Sequence, residues 1–234
     1  MPLFKVLPKA VPAGEPFRGL IRAEGEGADR IEAWARAVGR VHGARRRETV
    51  TATFDMAMDW SARDEGEATF DARTGAPIAL RIPVRTDAPE CAFLHEIGHT
   101  LDRRHLGDGV AFASESDPGV QAVVRIAREA PSLADSIALV EALGRRSELD
   151  ERDAGTRDRL ARLLSDREVF ARAYTQYVAE MMRPPVVRMQ IARRMIQCWD
   201  AGAFPLFWTP EEFPAIARAM HERLLDRGLI ALRT

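Results

Sequence analysis

With 234 residues, of which 46% are hydrophobic and 29% charged, the chain can bury a sizeable core without staples, and its composition excludes wholesale disorder and a fibrous class. Its 34 basic and 35 acidic residues leave a formal net charge of -1, which removes the electrostatic argument for a nucleic-acid partner. Two cysteines, Cys91 and Cys198, are too sparse for a disulfide framework and read as free thiols in a reducing compartment.

Residues 1 to 27 are rich in Pro and Gly and read as an N-terminal arm, followed by one domain over 28 to 234. Prolines at 2, 8 and 12 break any continuous apolar stretch, so no standard signal peptide is read there. No run approaches the roughly 18 apolar residues of a membrane-spanning helix. The expectation is a cytoplasmic protein without a membrane partner.

From Asp29 to about Val41, the residues Ile31, Trp34, Ala35, Val38 and Val41 recur at helical spacing and predict an amphipathic helix. Arg45, Arg46 and Arg47 after it read as a solvated turn. Thr49 to Met58 and the alternating Ala79 to Val84 predict strands, with a short strand around Ala68 to Phe70 between turns at Arg63 to Glu67 and Arg73 to Gly75. Pro83 cannot donate to a ladder, which makes the strand over 79 to 84 an edge strand. An extended peptide can add to such an edge. Asp87, Pro89 and Glu90 mark a helix start with a capping carboxylate. Beyond residue 105 helical patterns cover 119 to 130, 132 to 144, 156 to 182, 185 to 199 and 210 to 228. The class is α+β, with a small mixed sheet before a chemistry-bearing helix and a mostly helical C-terminal half.

That helix carries His95-Glu96-Ile97-Gly98-His99. Two histidines four apart lie about one turn from each other, so their imidazoles share a face and can hold one ion. Zinc takes such nitrogens at roughly 2.0 to 2.1 Å. Glu96 is rotated off that face, which suits a carboxylate beside a metal. There it can take a proton from zinc-activated water and later deliver it to a leaving amine, the chemistry of peptide hydrolysis. Gly98 costs about 1 kcal/mol in a helix interior, and close packing of another backbone explains its presence. The plain alternative is two ordinary histidines on a helix.

A catalytic zinc needs a third protein ligand. His105 stands six residues after His99, the spacing of the third histidine in metzincins, although Asp102 occupies the glycine position of that pattern and no methionine turn follows. Glu168, in Arg167-Glu168-Val169-Phe170-Ala171-Arg172-Ala173-Tyr174, is the other candidate. Ser165 with Glu168 also reads as a capping box.

The string Phe93 to Asp102 around the histidines, together with Arg167 to Tyr174, resembles the two ligand helices of gluzincin-type zinc peptidases, especially the anthrax lethal factor-like group. The resemblance spans about 90 residues and rests on these two motifs. It implies a zincin-like domain, a zinc cofactor held by His95, His99 and Glu168, Glu96 as general base and acid, and a protein or peptide substrate. The family's tyrosine seven residues before its ligand glutamate, which assists the developing oxyanion, is Ala161 here, leaving that role to Tyr174, Tyr177 or an arginine. Two other readings stand beside this one: a metzincin-like peptidase using His105, and a non-catalytic, zinc-stabilised protein-binding module, phage- or secretion-associated. Asp102 is read as either a partner of a ligand or an exposed helix residue, and Cys91 as a small buried residue. The aromatic string Trp199, Phe204, Leu206, Phe207 and Trp208 is read as satellite core rather than a cleft wall.

Overall fold

In a computed structural model of the chain, the described residues are 21–25, 27–42, 50–55, 66–83, 88–145, 151–182, 185–200 and 207–230, apart from some of their side chains. The first elements are strand β1 (Ile21–Glu24), helix α1 (Ala28–His42) and strands β2 (Val50–Asp55), β3 (Glu67–Phe70) and β4 (Pro77–Pro83). The strands form one sheet in the order β1-β2-β4-β3. β1 and β4 run parallel to β2, with Ile21 opposite Val50 and Thr51 opposite Ala79, while β3 is antiparallel to β4, with Glu67 opposite Arg81.

Two sequence expectations are corrected here. Ile21–Glu24, read as part of a loop-like arm, is a strand paired with β2; its four residues are too short for a periodic signal, and pairing supplies what propensity does not. The strand carrying Pro83 is not an edge: β4 lies between β2 and β3. Pro83 is tolerated because it is the last residue of β4, opposite Asp55. The described edge beside the chemistry is β3. Asp87, the expected cap, lies outside the described residues; the N-cap position is Ala88, with no side-chain cap.

The turn from β3 to β4 is built on Asp71, whose Oδ1 accepts from Thr74 N at 2.7 Å, Thr74 Oγ1 at 2.8 Å and Arg73 N at 3.0 Å. This carboxylate-backbone turn is the local signature of an Asx turn. Gly75, at φ +66°, lets it lie against Gly109, at φ +89°; a Cβ on Gly75 would fall 1.5 Å from the Gly109 carbonyl oxygen. The hairpin is thereby joined to the segment that follows the central helix.

That helix, α2 (Pro89–Thr100), is continued by a π-helical turn over Leu101–Leu106. Every residue from Cys91 to Thr100 is buried, as expected of a helix enclosed on all sides. The rest of the chain is helical: α3 (Ala113–Ser116), α4 (Pro118–Arg128), α5 (Pro131–Gly144), α6 (Glu151–Leu163), α7 (Asp166–Met182), α8 (Pro185–Asp200) and α9 (Phe213–Asp226). α2 packs between the β3–β4 hairpin and α7, and α7 in turn packs on α1, α4 and α9. Val169 to Ala179 of α7 are buried throughout, which makes it the second pillar of the core.

The pattern over 156 to 182 is two helices, not one. Leu164 N and Ser165 N bond back to Leu160 O at 2.8 Å and Arg162 O at 3.0 Å, closing α6. The guanidinium groups of Arg172 and Arg128 donate to Leu163 O and Leu164 O, satisfying carbonyls that a continuous helix would have bonded itself. Phe207 and Trp208 are core residues, and Trp208 Nε1 donates to Ala127 O at 2.8 Å; Phe204 and Leu206 and the Trp199 side chain lie outside the described residues. The class is α+β. Among the described residues no helix is long and apolar enough to cross a membrane.

Candidate metal centre

α2 and α7 bring three side chains together. His95 and His99, one turn apart on α2, meet Glu168 in the first turn of α7: His95 Nε2 is 3.0 Å from Glu168 Oε2, His99 Nε2 is 3.4 Å from Glu168 Oε1, and the two Nε2 atoms are 3.1 Å apart. The imidazole rings stand nearly perpendicular, at 87°. Both histidines are buried and Glu168 is half-buried.

These separations test the fit of a metal. Ligand atoms about 2.0 to 2.1 Å from a shared tetrahedral centre lie roughly 3.3 Å from one another, and the observed spacings bracket that figure. A set of two imidazole nitrogens and one carboxylate suits a divalent transition ion. Burial pushes the Glu168 carboxyl toward the neutral form, but the hydrogen bonds from His95 and His99 and their positive potential outweigh it and hold its pKa below the usual range; an ionised carboxylate is the form that binds a metal. Together, the three buried or half-buried residues could hold a metal ion.

The convergence depends on Gly98. A Cβ there would lie 2.9 Å from the Ala171 Cα, so the α2 and α7 backbones meet between the two histidines and one turn after Glu168. The expected reason for a glycine inside this helix is therefore present. Ser165 does not cap α7 in the expected way: its Oγ has no hydrogen-bond partner among the described residues, and Glu168 turns to the histidines instead of back to the Ser165 backbone.

No family model, curated protein or solved structure matches this chain.

Around the three ligand candidates, the described residues sort themselves. Glu96 is buried on α2 beside the start of β3, where a Cβ on Gly66 would lie 2.8 Å from Glu96 Cγ and 2.7 Å from Arg81 O. Gly66, which the sequence shows only as a turn residue, leaves the room this carboxylate occupies. His105 belongs to the π-helical turn and is not part of the ligand group. Cys91 is buried and lies outside it, and the Cys198 side chain lies outside the described residues.

Asp102 is fully buried and does not bond a histidine. It accepts from Ser114 N at 2.7 Å and Ser114 Oγ at 2.5 Å, tying the π-helical turn to the start of α3. Burial pushes its carboxyl up to about 6 against the lowering effect of those bonds. Phe112, directly before α3, is thereby set on His99, with ring centroids 6.0 Å apart. Asp102 thus shapes the wall over a ligand through the backbone, an arrangement that spacing along the helix does not reveal.

The two tyrosines expected as oxyanion donors are committed elsewhere. Tyr174 Oη meets His42 Nε2 at 2.8 Å within the core, and the buried Tyr177 Oη meets His221 Nδ1, on a half-buried ring, at 2.8 Å. Burial raises the Tyr177 hydroxyl well above its usual range. Arg167 is nearer the ligands, with Nε 4.0 Å from Glu168 Oε1.

Proposed function

We propose that the chain is a zinc-dependent endopeptidase of the gluzincin type, with the zincin-like architecture that the resemblance to lethal factor-like domains implies. The observation that carries this reading is the meeting of His95 and His99 from one helix with Glu168 from another, 73 residues on, while Glu96 stands beside them. In the cell it is read as a cytoplasmic protein acting on protein or peptide substrates.

His95, His99 and Glu168 would hold a zinc ion, which would supply Lewis acidity toward a carbonyl and a water. Glu96, between the ligand face and the β3 edge, takes the proton of the attacking water and returns it to the departing amine. Because β3 is the last strand of the sheet among the described residues, an extended peptide aligns there by strand addition rather than on β4. Arg167 is the cation placed to support negative charge that develops on the carbonyl oxygen.

The commitment of both tyrosines to the core favours one competing reading, a non-catalytic module that uses the metal for stability. Metal content of the purified protein, measured with peptide cleavage, separates the two. About one zinc per chain, lost in His95→Ala and Glu168→Ala but kept in His105→Ala and Glu96→Gln, is expected, with cleavage abolished in Glu96→Gln. Zinc without cleavage in the parent supports the module, and loss of zinc in His105→Ala alone moves the third ligand to the metzincin-type position.

A further inference from the structure

Beside the ligand group, Phe112 joins His99 to the edge strand. Its ring is 6.0 Å from that of His99 and 6.2 Å, edge-on, from that of Phe70 at the end of β3. The Arg103 guanidinium lies over both phenylalanines, 4.7 Å from the Phe70 centroid and 5.5 Å from that of Phe112, and the Arg167 guanidinium lies 5.7 Å from the Phe112 centroid. Arg103 Nε donates to Gly109 O at 3.1 Å, which fixes the plane of the group and leaves its two terminal nitrogens to other acceptors. Among the described residues Arg103 has no carboxylate partner, and Arg167 has only Glu168, at 4.0 Å, whose oxygens already face the histidines. Two cations are therefore held on one aromatic wall, and among the described residues Arg103 has no carboxylate to neutralise it, while Arg167 shares Glu168 with the histidines. Contact with phenylalanine faces orients a guanidinium but does not replace an anion, and a fixed planar fork suits a carboxylate.

The position of this wall along β3 says what would meet it. Gly66 marks the Glu96 end of the strand and Phe70 the Arg103 end, four residues on, or about 13 Å at roughly 3.3 Å per residue. A peptide added antiparallel to β3, with its scissile bond at the Glu96 end, runs with its N-terminal side past Phe70. We infer that Arg103 forms a subsite for an acidic side chain, aspartate or glutamate, three or four residues before the scissile bond, with Arg167 adding positive potential. This rests on the peptidase reading for its position, while the preference for an acidic peptide stands on Arg103 itself.

The test has two arms, each run on the zinc-loaded full chain. In the first, the parent cleaves a random peptide library and the products are sequenced by mass spectrometry. In the second, Glu96→Gln, which binds without turnover, selects peptides from the same library, alone and combined with Arg103→Met or Arg103→Lys. Enrichment of Asp and Glu at the third or fourth position before the cut supports the subsite. So does their enrichment in the bound pool, reduced about tenfold by Arg103→Met, less by Arg103→Lys, and weakened by salt. Cleavage without acidic bias at those positions overturns it. If the parent cleaves nothing, the peptidase reading falls and the bound pool decides: acidic enrichment that depends on Arg103 upholds the subsite, and a pool without it overturns it.

Discussion

Gly98 of α2 and Ala171 of α7 are in backbone-to-backbone contact, so close that a Cβ on Gly98 would lie 2.9 Å from Ala171 Cα and 3.2 Å from its Cβ. The contact falls between His95 and His99 on one helix and one turn after Glu168 on the other, so it sets the spacing of all three ligand candidates. Gly98→Ala gains about 1 kcal/mol of helix propensity but forces the helices apart, and overpacking of this kind costs about 1 to 3 kcal/mol. Because the obstructing atom is backbone, the cost prevails. The expected outcome is a lower melting temperature and zinc affinity reduced at least tenfold, read by thermal unfolding and a competitive chelator titration. Unchanged zinc affinity would show that α7 can shift without carrying Glu168 away.

Of the candidate site residues, Gly66 bears on Glu96. A methyl group at 66 meets Glu96 Cγ at 2.8 Å and Arg81 O at 2.7 Å, so it displaces the glutamate and also pushes the start of β3 away from β4. Gly66→Ala is therefore expected to keep one zinc per chain while peptide cleavage drops about a hundredfold, since displacing a catalytic group by about 1 Å can cost that much. The comparison that matters is kcat with metal content measured on the same sample. Full activity in this variant would place the working position of Glu96 away from β3.

The sequence makes the two histidine candidates legible because helical geometry is local. His95 and His99 at a spacing of one turn, and the otherwise costly Gly98 between them, point to one face and one close neighbour without any tertiary information. Glu168 came into view only by likeness to a second motif, since by pattern alone it serves equally well as a cap for Ser165. Its true partners are 73 and 69 residues away, and no local period encodes such a meeting. Gly66, Phe112 and Arg103 were not legible for the same reason: their significance lies in what β3 and the loop after the π-helical turn place beside them. The edge was misread because Pro83 reports only that one residue cannot donate, whereas its position at the end of β4 decides whether that matters.

Asp102 predicts a pH dependence of stability. Its carboxyl titrates near 6 in the folded chain against an ordinary value of 3.8, so the native state binds the proton more tightly than the unfolded state. The stabilisation is complete below the unfolded value and is lost as pH rises through about 6, a change on the order of 3 kcal/mol at most. Asp102→Asn keeps an acceptor for Ser114 N and offers a donor to Ser114 Oγ without the buried charge. In the metal-free protein, the stability of Asp102→Asn relative to the parent is expected to rise between pH 4 and 7 and then level off. Urea unfolding curves that stay parallel across this range would mean that the carboxylate is better solvated than its burial implies.

The tyrosines give the sharpest division between structural and catalytic roles. Tyr174→Phe removes the hydroxyl that meets His42, and Tyr177→Phe the one that meets His221; losing such a buried hydrogen bond costs about 1 to 2 kcal/mol. Each hydroxyl is bonded to a histidine outside the ligand group, so both variants are expected to unfold several degrees below the parent yet to cleave peptide with kcat within about twofold of it. An oxyanion donor behaves otherwise, since removing one costs about a hundredfold to a thousandfold in kcat. Arg167→Gln is the contrasting variant: it keeps a donor but not the charge beside Glu168, and a kcat loss of about tenfold or more is expected with zinc retained. If Tyr174→Phe or Tyr177→Phe shows the larger kcat loss, the peptidase reading requires α7 to rotate and bring that hydroxyl out of the core, and the role proposed for Arg167 falls.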